Sequence, residues 1–489
     1  MKRNLRVTIP LKIIGAINRC ACRHSGIYNI MFQEDGVGHG NYVFEDQSDD
    51  ISVDGDHADY LRIENFNPLP TDYQIRTTWM FAYEQIARTN NAITYIPKVP
   101  QMDENIRNRS LGEAYFLRAY GYYVLNQIYG EVPIILEENV AKSNYNVAKS
   151  PVEDVRKLIE ADLLKAADLL PESYGADNKG RVSKGAAWGL LCKLYMNWEN
   201  LDKALEYGQK VISNPNYTLA AHYSDNFDKS IQNDNPELLF AIWNKDGFGS
   251  APANMYFTNR AWGGWGFHHP TQNFVDEFEA ADVERKQATV LSVGDSIPNQ
   301  TALIEITDKD AFQMFEGKQG QSSARMLPSQ SRTGFSIRKY TGFKPDGSGL
   351  DAGIKQPLLR TADIYLLVAE AKIRKSGPGA GDIEINAVRK RAGINEITGA
   401  TFQDLVHERR VELGGENARY YDLLRWDKVK LINLDTIVSK PKTASRLPPF
   451  NNTVIVPART FQRPKNYYMP VPQAVIDESK GVITQNVGY

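Results

Sequence analysis

The chain is poor in cysteine: 489 residues carry three, Cys20, Cys22 and Cys192. There is no Cys-x-x-Cys pair and no zinc spacing, so neither a disulfide framework nor a structural zinc site is written here. An excess of one charge is also lacking. The chain has 57 Lys and Arg against 59 Asp and Glu, a formal net charge of −2, and this leaves no basic footprint for nucleic acid. Long apolar runs are missing too. No stretch approaches the roughly 18 residues that a membrane-spanning helix needs. Enzyme signatures are equally scarce. There is no P-loop and no Gly-x-Ser-x-Gly elbow. Gly263-Gly264-Trp265-Gly266 lacks the dinucleotide-binding spacing. His407-Glu408 opens like a zinc helix, but Val411 stands where the second histidine belongs. His268 and His269 are adjacent, so on a strand they point to opposite faces. No cofactor and no metal are expected.

What is present is an ordinary globular composition, 42% hydrophobic and 24% charged, with an aromatic surplus of 25 Tyr, 19 Phe and 7 Trp. Helical periodicity is strong in the first half. Trp79, Tyr83, Ile86 and Asn90 share one face of a helix that Pro97 and Pro100 end. Ala114, Leu117, Gly121, Val124 and Ile128 mark a second helix over about 105–129, stopped by Gly130 and Pro133, with Gly121 admitting a close neighbour. Ser150-Pro151 with Glu153 starts a third. A turn at 180–183 leads to Ala186, Ala187, Leu190, Leu191, Leu194 and Tyr195 on a partner helix, and another helix covers 201–212. Cys192 falls in this apolar pattern as a small buried hydrophobe. Such pairs have the small-residue and aromatic spacing of tetratricopeptide repeats, which bury their faces by stacking on neighbours.

From 216 to about 354 the pattern weakens and Gly, Asn, Asp and Ser rise, with a strand candidate at 238–243. Helix is expected again over 358–375, 402–413 and 473–479. The fold class is therefore mainly α: tetratricopeptide-like helix pairs forming a scaffold, with a long loop-rich insertion carrying short strands. One integrated fold is divided as 1–26, a degenerate or mis-started signal and anchor region; 27–215, helix pairs behind an acidic loop; 216–354, the insertion; and 355–489, C-terminal helices with a Pro-rich tail.

Two features point outward. Asp49, Asp50, Asp54, Asp56 and Asp59 gather around Gly55, in a stretch that fails the EF-hand template because Ala58 and Asn65 occupy ligand positions. In the insertion, Trp243, Tyr256, Phe257, Asn259, Arg260, Trp262, Trp265 and Phe267 crowd around Gly263, Gly264 and Gly266. Rings this dense in a non-helical segment are costly to bury together. A flat indole or phenol stacks on the apolar face of a sugar while Asn, Arg or Asp bonds its hydroxyls. The same rings would equally pack an insertion. A glycosidase needs only two carboxylates at a set separation, and no acidic pair stands out in this cluster.

Several separated motifs, in order, resemble the SusD/RagB family of surface nutrient-binding lipoproteins. They are Trp79 to Asn90; Glu113-Ala114-Tyr115-Phe116-Leu117-Arg118-Ala119-Tyr120 through Tyr129-Gly130-Glu131-Val132-Pro133; Gly180 to Ala187; Asn273 to Glu279; Glu408-Arg409-Arg410-Val411-Glu412-Leu413 with Glu416 and Arg419 to Trp426; and Tyr468-Met469-Pro470-Val471-Pro472 with Gln485 to Tyr489. The resemblance implies a non-enzymatic protein held by a lipid anchor on the outer surface of the outer membrane. It implies capture of an oligosaccharide, or of a peptide in some members, and delivery to a SusC-type TonB-dependent transporter. It places the ligand face on the acidic loop and the insertion, which here gives Asp49, Asp50, Tyr256, Asn259, Arg260, Trp262 and Trp265. Cys20 is the lipid-anchor candidate, although Asn18 and Arg19 stand where a lipobox has small residues. Glu412, Glu416 and Arg419 are expected to pair with one another as structural ions rather than as an active site.

Overall fold

The computed structural model describes residues 25–33, 40–47, 51–53, 57–142, 144–244, 252–258, 264–292, 295, 331–342 and 353–489. Helices carry the frame. The Tyr73–Tyr95 helix packs on Glu104–Tyr129, which packs on Val152–Leu169; Lys184–Asn197, Leu201–Ile212 and Thr361–Ser376 continue the stack. The second helix starts where Asp103 accepts the Ile106 N–H at 3.0 Å and stops at Gly130, whose φ of 74° suits the residue past a helix end. Between the first two helices lies Gly121. A Cβ there would come 3.2 Å from Ile86 Cγ1, so the close approach requires the missing side chain.

Charge ties the stack together at its motif residues. Arg118 donates to both carboxylate oxygens of Asp162 at 2.7 and 2.8 Å and to Asn90 Oδ1 at 2.9 Å. Three successive helices thus meet on one guanidinium. Glu113, fully buried, takes Arg181 at 2.9 Å, joining the second helix to the turn before the fourth. Cys192 is buried beside these helices, and burial pushes its thiol well above the usual range.

Strands are short. Five two-stranded antiparallel ladders occur among the described residues. In the longest, Leu238–Ile242 runs against Gln356–Arg360 with Leu238 opposite Arg360 and Ile242 opposite Gln356. This corrects the expected helix over 358–375: the helix begins at Thr361, and Leu358 to Arg360 are strand. Pro357 lacks the N–H that a helix would use, and the partner strand captures its neighbours instead. The helices Asp382–Arg391 and Arg419–Lys428 carry no strong apolar stripe, because they pack through charged side chains.

Those charges form a buried hub. Arg360 donates to Glu237 at 2.5 Å, to Glu412 at 3.0 Å and to both oxygens of Glu416 at 2.7 Å. Glu412 also takes Arg391 and Arg285, and Lys339 reaches Glu416 at 2.7 Å. Burial opposes ionisation of Glu412, but the three surrounding guanidiniums outweigh it and hold the carboxyl far below its usual range. The expected pairing among Glu412, Glu416 and Arg419 is therefore corrected: both glutamates bind cations from distant segments. The chain reverses at Gly415 and Asn417, both at positive φ, and Arg419 is carried over the Trp426 ring, 6.0 Å from its centroid.

Candidate functional site

The end of the acidic stretch and the aromatic part of the insertion come together, although about 200 residues separate them in sequence. The short helix Pro252–Phe257 is followed by a chain return that hydrogen-bonds back onto it. Trp265 N–H donates to Met255 O at 2.6 Å, Gly266 N–H to Thr258 O at 3.0 Å and Phe267 N–H to Tyr256 O at 2.8 Å. Gly264 makes this return possible. A Cβ at that position would overlap the Thr258 carbonyl and sit 2.7 Å from Thr258 Cβ.

The return sets a row of rings. Tyr256 packs against Trp265 with centroids 4.8 Å apart and against Phe267 at 5.3 Å. Phe267 meets Tyr60 edge-on at 5.8 Å, and Tyr60 lies 4.5 Å from His57. His57 precedes the Ala58–Glu64 helix and is exposed; Trp265 and Phe267 are half-buried. Tyr256 and Tyr60 are each only 3% exposed, so Tyr256 backs the ledge rather than presenting its own face. Trp243 belongs to a different set of contacts. It packs on Gly180, where a Cβ would come 2.6 Å from its Cγ, and Lys355 Nζ lies 5.6 Å from its ring. Of the candidate residues, Asp49, Asp50, Asn259, Arg260 and Trp262 lie outside the described residues, as does the anchor candidate Cys20. Asp59, the last of the acidic stretch, accepts the Tyr73 N–H at 2.8 Å and pairs with Arg62.

Beneath the ledge runs a buried polar strut that sequence reasoning missed. His268, at φ 57°, places Nδ1 2.8 Å from Asp46 Oδ2. Ser52 Oγ donates to the other oxygen of Asp46 at 2.5 Å. Lys442, fully buried, donates to Asp46 O at 2.5 Å, Ser52 O at 2.6 Å and Glu64 Oε1 at 3.0 Å. The two-residue ladder pairing Val53 with His269 completes the join. Burial disfavours the charged form of each member. It lowers Lys442 to about 8 despite the facing Glu64, and it raises Glu64. Asp46 goes the other way, because His268 and Lys442 outweigh its burial. Next to it, burial lifts Glu45 to about 7, against the Asn417 N–H it accepts at 3.2 Å. No single motif marks these residues.

The arrangement offers a partly open row of rings, rigidly backed, with charged groups held below and away from it. Among the described residues no cluster of His, Cys, Asp and Glu could hold a metal ion, and no helix is long and apolar enough to cross a membrane.

Comparison with known proteins agrees with the fold. The family described as the SusD family matches residues 236–489, and the family described as starch-binding associating with outer membrane matches residues 25–196. A SusD-like protein of Bacteroides ovatus is 28% identical over 403 residues, covering 75% of this chain and 68% of that relative. The starch-binding protein SusD of Bacteroides thetaiotaomicron is 26% identical over 379 residues, covering 66% and 65%. Among solved structures, a SusD-like protein from Bacteroides fragilis superposes with a TM-score of 0.79 at 21% identity, over 98% of this chain and 97% of that one. A laminarin binding SusD-like protein gives 0.74 at 25% identity, over 95% and 98%. With the helical frame, the motif order and a family match that spans the C-terminal half, the chain belongs to the SusD family.

Proposed function

We propose that this protein captures an oligosaccharide at the outer face of the outer membrane and hands it, chemically unchanged, to a SusC-type TonB-dependent transporter. The observation that carries the reading is the ledge of Trp265, Phe267 and His57, backed by Tyr256 and Tyr60, where two remote segments converge. Half-buried rings with a fixed backing are suited to stacking on the C–H face of a pyranose, and preorganisation reduces the cost of binding. Relatives described as starch-binding and laminarin binding support the sugar class. Asp49, Asp50, Asn259, Arg260 and Trp262 are assigned by the same reading to the polar rim and the rest of the platform.

Titration calorimetry against maltoheptaose, laminarihexaose and a xyloglucan oligosaccharide tests it. At least one is expected to bind, and Trp265→Ala is expected to weaken that binding about tenfold or more with no change in melting temperature. Peptide capture predicts instead that a mixed oligopeptide library binds and the glycans do not. A hydrolase predicts release of reducing ends from the bound glycan. Silence across the glycan panel, or full affinity in Trp265→Ala, overturns the proposal.

A further inference from the structure

Away from the ledge, a hollow opens between the Tyr73–Tyr95 helix, the residues Pro133, Ile135, Tyr145 and Asn146, and the C-terminal tail, with a volume of about 550 Å³. Pockets of roughly 300–1,000 Å³ are the usual size for small ligands. Its floor is apolar. Trp79 and Tyr83 pack with centroids 5.2 Å apart, and Ile86, Pro133 and Val475 continue the surface. That floor is held rigid: Tyr83 donates its hydroxyl to Pro133 O at 2.7 Å and Asn146 bonds Ser479 O at 3.1 Å.

The rim differs from the floor. Tyr145 is 58% exposed, so its ring is open to solvent. Glu478 and Lys480 also line the hollow. Among the described residues neither has an ion-pair partner, whereas most charged residues elsewhere in the frame are paired. Glu478, Lys480 and Asn146, a carboxylate, an ammonium and an amide, thus line a hollow with an apolar floor and one exposed phenol ring. The carboxylate can accept two neighbouring hydroxyls, and the ammonium can donate to a third. The charges balance, so the rim selects against a strongly anionic or cationic ligand.

We infer that this hollow is a second carbohydrate site, for a neutral pyranose unit, separate from the ledge and sharing no lining residue with it. Tyr145 supplies the stacking face, and Glu478, Lys480 and Asn146 hold the hydroxyls. It extends the glycan-capture reading without depending on Trp265. A long polysaccharide held at two points gains retention from effective concentration, with no tighter contact at either.

The test uses the full chain and saturation-transfer NMR with the methyl glycosides of glucose, galactose, mannose and xylose. One or more is expected to give a signal that Tyr145→Ala and Glu478→Gln each reduce at least fivefold and that Trp265→Ala leaves in place. Glu478→Asp is expected to restore part of it. Loss in Trp265→Ala with full signal in both rim variants assigns all binding to the ledge and overturns the second site while preserving the first. No signal that depends on Tyr145 or Glu478 overturns it as well. A saturation-transfer signal from phenylalanine amide that Tyr145→Ala removes, with no signal from any glycoside, makes the hollow a peptide side-chain pocket and overturns the sugar class.

Discussion

Gly264→Ala is the sharpest probe of the ledge. Gly264 is not at positive φ, so the added methyl imposes no dihedral strain; it meets the Thr258 carbonyl and lies 2.7 Å from Thr258 Cβ. Thr258 is buried and cannot retreat easily, since its hydroxyl is bonded to Asn254 Oδ1 at 2.6 Å. The return must open, and with it go the three backbone bonds from Trp265, Gly266 and Phe267. At about 0.5–1.5 kcal/mol net each, they amount to about 1.5–4.5 kcal/mol of local stability. An apparent affinity falls by the fraction of molecules with the competent conformation, so binding is expected to drop about tenfold or more. Hydrogen exchange reads the cause directly. Amide protection at 265–267 should fall by a similar factor, and by more than protection in the Glu104–Tyr129 helix. A well-folded Gly264→Ala with wild-type exchange at these amides, or with wild-type glycan affinity, refutes the argument that this return builds the site.

Two further outcomes follow from the buried charges. Arg360→Met should lose about 3–5 kcal/mol in urea denaturation, because it leaves the buried Glu237, Glu412 and Glu416 short of a cation; a change below about 1 kcal/mol would refute that role for Arg360. Glu45 supplies a pH effect with a definite sign. Its folded value of about 7 lies above the ordinary 4.5, so the native state holds the proton more tightly than the unfolded chain. That contribution is complete below pH 4.5 and is lost as pH rises through 7, a change of about 3 kcal/mol. Glu45→Gln should therefore flatten the decline relative to the wild type between these limits, as followed by urea midpoints at several pH values; parallel curves for the two proteins would exclude it.

The helical frame was legible because each helix writes its own buried stripe. Ala114, Leu117, Gly121 and Val124 recur at the right steps, and the stop at Gly130 falls beside them, while the Asp103 cap shows only in the structure. Where partners are remote, the signal fades. The last residues of the 356–360 strand, from Leu358 on, read as helix because Leu358 and Leu359 suit either state, and only the facing 238–242 segment decides. Arg360, Glu237 and Lys339 look like ordinary surface charges in the sequence, yet they are buried. The ledge was half visible: the crowding of Trp265 and Phe267 around glycines marks it, while His57 and Tyr60 join only because the fold brings them there. Nothing in the ring count told which rings face outward, and Tyr256 and Trp243 turn out to be packed.

The strut under the ledge joins segments from opposite ends of the chain. Lys442 bonds the Ser52 carbonyl across 390 positions of chain, and Arg459 reaches the Glu64 carbonyl across 395. Contacts so remote in sequence carry a large loop-closure cost and form late. A chain clipped before residue 442 is expected to leave Asp46, Ser52 and Glu64 without their buried ammonium partner, so the early loop owes its anchoring to residues almost at the other end of the chain.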